Sequence, residues 1–212
     1  VLAARFYAAG KDREMSETVH TSITLALISG IMMAVIGVLL AKWALEIMGT
    51  PDDVIGQSAL YMRIYFMGMP FFMLYNYGAA ILRAIGDTKR PLIFLIISGI
   101  ANAALNMILV ILFHMGVAGV AIGTIISQLI SCVLVLTCLY RSEGSYQLRF
   151  SKLKINGAYM EQIFQVGVPA GIQSTVINLS NALCSLRLIH LDRLRWQAIQ
   201  QRTIYLGSFI CQ

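Results

Sequence analysis

Between Arg90 and Arg141 the chain runs for fifty residues without an Asp, Glu, Lys or Arg. A bilayer core is about 30 Å thick and takes about 20 apolar helical residues to cross. Fifty residues are too many for one span and enough for two, provided a tight turn separates them. The run His114-Met115-Gly116-Val117-Ala118-Gly119 supplies that turn. The expectation is two membrane helices joined by a short hairpin, which makes the whole chain an all-α, polytopic helical membrane protein.

Composition agrees with that class. The chain is 58% hydrophobic and 12% charged, about half the charge of a soluble domain. The formal net charge is +6, but no Lys/Arg run is interleaved with aromatics, so nucleic acid is not an expected partner. The expected partner is the lipid bilayer. Cys132 and Cys138 lie inside an apolar stretch and read as small buried hydrophobes rather than metal ligands or a disulfide. The chain opens at Val1 and runs straight into Arg5-Phe6-Tyr7. The true N-terminus is therefore expected upstream.

Uncharged stretches occur at 18–41, 64–82, 91–113 and 117–140. With their flanks they predict helices over about 18–41, 57–83, 91–113 and 117–140, with the start of a fifth at 163–183. Arg63 stands at the edge of the second, where a long side chain can snorkel toward headgroups. Gly68 and Pro70 interrupt this helix and predict a kink. In a membrane such a break survives only where neighbouring helices or a cavity satisfy the freed backbone groups.

The connections alternate in charge. Arg5, Lys11 and Arg13 precede the first helix, and the next connection holds Asp52 and Asp53 in an exposed acidic turn. Arg83, Lys89 and Arg90 then flank a basic loop, the hairpin at His114 has no Lys or Arg, and Arg141, Arg149, Lys152 and Lys154 follow the fourth stretch. Basic, poor, basic, poor, basic is the positive-inside pattern of four consecutive spans. The expected location is the cell membrane, with multiple passes and basic loops in the cytoplasm.

Small and polar residues mark where helices meet. Gly119, Gly123, Ser127 and Ser131 recur every four residues and form one stripe that permits close helix approach. Ser98, Asn102 and Asn106 share a face of the third stretch. Amides are too costly to face lipid, so this face either binds helices together or lines a cation or substrate path. Tyr75 and Tyr77 flank Asn76 and read as packing residues. No catalytic arrangement is expected. His20, His114 and His190 stand in unrelated places, and no His/Cys cluster has metal spacing.

The fifth apolar segment begins Val166-Gly167-Val168-Pro169 and continues to Leu183, then collapses into Arg187, His190, Asp192, Arg193, Arg195 and Arg202. Each central charge costs roughly 2.5–3.5 kcal/mol on insertion scales, so residues 184–212 cannot complete that span. They read as a frameshifted, non-native tail. Read one base off, permitted codons for this stretch encode an apolar, Gly/Ala-rich continuation suited to a membrane. The alternative is a genuine extramembrane helix.

Several runs resemble one family. ARFYAAGKDREMSETVHTSI, YMRIYFMGMPFFMLYNYGAAILRAIGDTKRPL, NMILVILFHMGVAGVAIGTIISQ and VGVPAGIQSTVINLSNAL look like the bacterial multidrug and toxic compound extrusion (MATE) transporters, over about residues 3–183. The run Leu82-Arg83-Ala84-Ile85-Gly86-Asp87-Thr88-Lys89 is the most specific part. The resemblance implies two six-helix lobes with a central cleft that alternates between faces. It also implies secondary antiport of drugs or other small organic, often cationic, compounds against Na⁺ or H⁺, with no cofactor besides that coupling ion. This chain would hold helices three to six of the N-terminal lobe and the start of the seventh, so its partners would include the remaining helices of the same transporter.

By the same resemblance Asn76 matches a polar position on the family's fourth helix, Asn102 and Asn106 two on the fifth, and Thr124 one on the sixth. Many relatives have Asp where this chain has Asn106, so a charge is missing there. The family's first-helix acidic residue is not in this sequence. A related lipid-linked oligosaccharide flippase is one alternative, although its anionic headgroup would demand several basic residues within spans and only Arg63 lies near one. A non-transporting membrane interaction protein is the other.

Overall fold

A computed structural model describes residues 2–47, 49, 52–142, 144, 146–148, 157 and 159–181. All of the regular structure among them is helical: α1 (Leu2–Ala8), α2 (Asp12–Ile47), α3 (Asp52–Met67), α4 (Met69–Ala84), α5 (Lys89–Met107) with a π-helical extension Ile108–Leu112, and α6 (Gly116–Arg141). Residues 159–181 form a further helix, α7. The expected tail at 184–212, with Leu183, lies outside the described residues, as do Pro51, Arg149, Lys152 and Lys154. Two compact units divide at residue 163/164. The second is represented by the helical residues 164–181.

The first helix is longer than its uncharged stretch of 18–41. Charges flank it without ending it, because Asp12 and Glu14 complement the positive N-terminal end. Ion pairs one turn apart, Arg13–Glu17 at 3.3 Å and Lys42–Glu46 at 3.8 Å, tie down the charged ends. Its 36 residues make about 54 Å of helix, so both ends project past a bilayer core.

The segment expected as one kinked helix over 57–83 is instead two helices of 16 residues each, meeting at Gly68. Gly68 keeps a right-handed backbone (φ −78°, ψ −11°), and its N–H donates to Tyr65 O at 3.0 Å. Gly68 O accepts from Phe71 and Phe72 at 3.1 and 3.2 Å. Pro70 sits in the first turn of α4, where a missing N–H costs nothing. The break is therefore satisfied locally. Two neighbours also press on it: a methyl on Gly30 of α2 would lie 2.6 Å from Pro70 Cα, and one on Gly68 would lie 2.7 Å from Gln128 Oε1 of α6.

These approaches set the register. Gly37 faces Phe66 and Gly30 faces Pro70, so α2 runs antiparallel to α3–α4. Gly68 faces Ile125 and Gly78 faces Val135, so α4 runs with α6, while Gly119 facing Leu109 and Gly123 facing Asn106 set α5 against α6. Within the first unit the described helices α2 to α6 thus cross one thickness four times. Three crossings, Asp12–Ile47, Lys89–Leu112 and Gly116–Arg141, are single helices long and apolar enough to span a bilayer. The other is the broken pair, each half of which is about 24 Å long.

The hairpin is tighter than expected. The turn is confined to Phe113–Met115, and Gly116 to Gly119 already belong to α6. His114 and Gly116 reverse the chain with φ of 50° and 54°, a conformation that glycine adopts at no steric cost. The core gathers at the basic end. Met15, Val19, Ile23 and Ala26 of α2, Leu74, Ile81 and Leu82 of α4, and Cys132, Val135 and Leu139 of α6 form one buried cluster sealed by Leu148.

Candidate functional site

Helix α5 takes little part in that core. Its most apolar window is 6% buried, against 39% for α6. Between α4, α5 and α6 lies a crevice of about 310 Å³. Helix α4 contributes Phe72 and Tyr75, α5 contributes Leu95, Ser98, Gly99 and Asn102, and α6 contributes Thr124, Ser127, Gln128 and Ser131. No charged side chain lines it. Tyr75 donates its hydroxyl to Pro91 O at 3.1 Å, joining α4 to the first turn of α5.

The polar residues form a directed network. Asn106 Nδ2 donates to Asn102 Oδ1 at 3.1 Å. Asn102 Nδ2 in turn donates to Ser127 Oγ at 3.2 Å and to Thr124 Oγ1 at 3.4 Å. The hydroxyl protons are spent on the backbone of α6, from Thr124 to Val120 O at 2.9 Å, from Ser127 to Thr124 O at 2.8 Å and from Ser131 to Ser127 O at 3.3 Å. The Thr124, Ser127 and Ser131 hydroxyls are therefore committed as donors. Two buried carbonyl oxygens, Asn106 Oδ1 and Gln128 Oε1, have no donor. A buried acceptor left in that state costs about 1–3 kcal/mol. Chemically, the crevice offers oxygen lone pairs and no competing charge.

The small stripe has a graded role along α6. Gly119 packs on the backbone and Cβ of Leu109, and Gly123 admits the side-chain oxygen of Asn106. Ser127 accepts from Asn102, and Ser131 lines the crevice. All four are buried.

The structure brings Asn102, Asn106 and Thr124 together and leaves Asn76 apart. Asn76 donates to Phe72 O of its own helix at 2.8 Å and does not line the crevice. One residue past Tyr75 on a helix is a rotation of about 100°, enough to turn it away. Gln128 was not singled out from the sequence, although the signal was there. It stands four residues after Thr124 in an uncharged span, and a lone amide in such a place needs a partner or a polar space. Among the described residues, no group of three His, Cys, Asp or Glu could hold a metal ion.

The MatE family model matches residues 1–108. The chain belongs to the MatE family. It is 33% identical over 189 residues to the "Probable multidrug resistance protein YoeA" of Bacillus subtilis (strain 168), covering 85% of this chain and 40% of that protein. It is 25% identical to the "Multidrug export protein MepA" of Staphylococcus saprophyticus, covering 75% of this chain and 36% of that protein. Among solved structures, the fold is similar to a MATE crystal structure in the bent conformation, with a TM-score of 0.75 at 20% identity over 82% of this chain and 39% of that one. An inward-facing MATE transporter of the MOP superfamily gives a TM-score of 0.73 at 21% identity over 79% and 38%. This MATE chain is thus a helical membrane protein that spans about two-fifths of the length of the curated relatives it matches.

Proposed function

We propose that these helices are part of the N-terminal lobe of a secondary antiporter that exports drugs or other small organic, often cationic, compounds in exchange for Na⁺ or H⁺. Family membership and relatives described as multidrug export or resistance proteins support the transport class. The observation that carries the reading is an uncharged crevice lined by Asn102, Thr124, Ser127 and Gln128, in which Gln128 Oε1 has no donor and the hydroxyl protons of Thr124 and Ser127 are committed to the α6 backbone. Buried acceptors without donors favour a positively charged or N–H-bearing guest. Amide oxygens do not titrate near neutral pH, so at this crevice the guest is a whole cation or ammonium group. A proton taken up in exchange would need a carboxyl from another helix.

Alternating access needs a second moving body, and the chain covers 40% of its Bacillus relative. The expected partners are therefore the other helices of such a transporter, and residues 1–212 alone should give no gradient-coupled efflux. The test is to graft residues 12–141 in place of the matching helices of the Bacillus relative and follow efflux of a cationic dye from inverted vesicles. Efflux should collapse when the Na⁺ and H⁺ gradients are dissipated and should fall with Asn102→Leu at unchanged abundance. Efflux indifferent to both gradients would sink the antiport reading.

Orientation is part of the same reading. Basic loops retained in the cytoplasm place the ends at Lys89 and Arg141 inside the cell membrane and the hairpin outside. In the grafted protein, a cysteine at Met115 should react with an impermeant thiol reagent on intact cells and one at Lys89 should not. The reverse pattern overturns the orientation.

A further inference from the structure

A second pocket, of about 370 Å³, lies at the basic end of the bundle and is lined by Arg90, Cys138, Arg141, Ser142 and Tyr146. We propose that it binds the phosphodiester headgroup of an anionic phospholipid. The two guanidiniums come from the ends of adjacent spans, Arg90 from the second position of α5 and Arg141 from the last of α6. Both therefore stand where apolar helix gives way to water, the depth of phosphate groups. Basic pockets between membrane helices at that depth take acidic headgroups.

The arrangement leaves the arginines available for a ligand. Arg141, at the C-terminal end of a helix, would ordinarily be read as a cap for the last carbonyls. Those carbonyls already have donors: Ser142 Oγ to Cys138 O at 2.6 Å, Leu148 N to Leu139 O at 3.1 Å and Gln147 Nε2 to Tyr140 O at 3.3 Å. Among the described residues Arg141 has no ion pair. Arg90 is steadied on one side by Asp87, with Nε 3.2 Å from Oδ2, and its Nη1 reaches across to Cys138 Sγ at 3.7 Å. That contact turns the guanidinium toward α6. No carboxylate lines the pocket, and Glu143 lies outside the described residues.

The choice of a lipid over a soluble phosphate rests on the exposed apolar surface of the two helices that carry the arginines. Leu92, Ile93 and Ile96 of α5 and Val133 and Tyr140 of α6 are exposed within one to three helical turns of the arginines. Acyl chains would lie along that surface while the guanidinium forks, planar and suited to bidentate contact with phosphate oxygens, hold the headgroup. Ser142 and Tyr146 add hydroxyls at the rim.

The experiment measures retention of labelled phosphatidylglycerol by the full chain, purified in neutral detergent, against labelled phosphatidylcholine. Phosphatidylglycerol should be retained preferentially, and Arg90→Gln and Arg141→Gln should each reduce its retention about fivefold. Lys89→Gln, which does not alter the lining, should leave retention unchanged. Equal retention of the two lipids overturns the proposal, and so does a loss with Lys89→Gln as large as with Arg90→Gln, which would mean diffuse surface charge. Displacement of phosphatidylglycerol by an equal concentration of inorganic phosphate would make this a soluble-phosphate site and overturn the lipid assignment. If a glutamine variant loses helicity by circular dichroism, Arg90→Lys and Arg141→Lys decide. They keep charge but lose the fork, so retention must fall with helicity intact.

Discussion

The two sides of α6 are built on opposite principles. Toward α4 it is closed: Val135 and Leu139 pack over Gly78 and share one cluster with Leu82 of α4 and Met15 and Val19 of α2, all five of these fully buried and apolar. Toward α5 it is polar and partly open, with small residues and committed hydroxyls that meet Asn102 and Asn106. Dispersion and close packing hold the first side, and they act in lipid as in water. The second side gives up packing density for a polar network beside a crevice, which a scaffold can do only where another face supplies the stability. The rigid face thus positions the polar one.

The largest effect should come from opening the closed side. Leu82→Ala and Leu139→Ala each remove a fully buried side chain, and large-to-small changes of this kind cost roughly 2–5 kcal/mol. Denaturant titration in detergent, followed by helicity, should register that loss. If either change costs less than the polar-side variants below, the division of labour between the two faces is wrong.

Gly123→Val should come next. Its added atoms would meet Asn106 Oδ1, and overpacking costs about 1–3 kcal/mol. Because the collision lies on the seam of α5 and α6, the loss should be concentrated there. Hydrogen exchange should quicken in α5 while amides of α2 near Val19 keep their protection.

Asn102→Leu sharpens the comparison further. It removes the donor to Ser127 and Thr124 and the acceptor for Asn106. Side-chain hydrogen bonds between membrane helices average about 0.6 kcal/mol, with a maximum near 1.7, so stability should fall by an amount in that range. Transport by the grafted protein should fall far more than its abundance. A matching drop in both would make the network helix-to-helix adhesion alone.

How much of this was legible in the sequence depends on which force decided each element. Charge placement located the crossings, because an apolar run between Arg90 and Arg141 has no other comfortable environment. Charge could not say where helices end, since Arg13–Glu17 and Lys42–Glu46 pair along α2 and extend it. The four-residue spacing put Gly119, Gly123, Ser127 and Ser131 on one face, but not what that face meets. Gly119 looks like a turn residue beside Gly116, yet the reversal is complete by Gly116 and Gly119 is spent on packing against Leu109. Gly68 and Pro70 signalled an interruption. That it divides the segment into two helices follows from the approach of Gly30 and Gln128, which only the assembled bundle supplies. Asn76 and Gln128 differ for the same reason: helical phase relative to a third helix turned one to its own backbone and the other into the crevice.

The smallest effect belongs to the helix ends. Lys42 and Glu46 approach to 3.8 Å with side chains 61% and 52% exposed. Exposed pairs one turn apart are worth about 0.3–0.5 kcal/mol, less as salt rises. Lys42→Gln should therefore shift the unfolding midpoint barely, and the difference from the unsubstituted chain should vanish at high ionic strength, while that of Leu139→Ala stays constant. The contrast tests the physical basis of the comparison, because screening weakens charge pairs in water and leaves packing untouched. If Leu139→Ala also became milder with salt, the closed face would owe its stability to something other than packing.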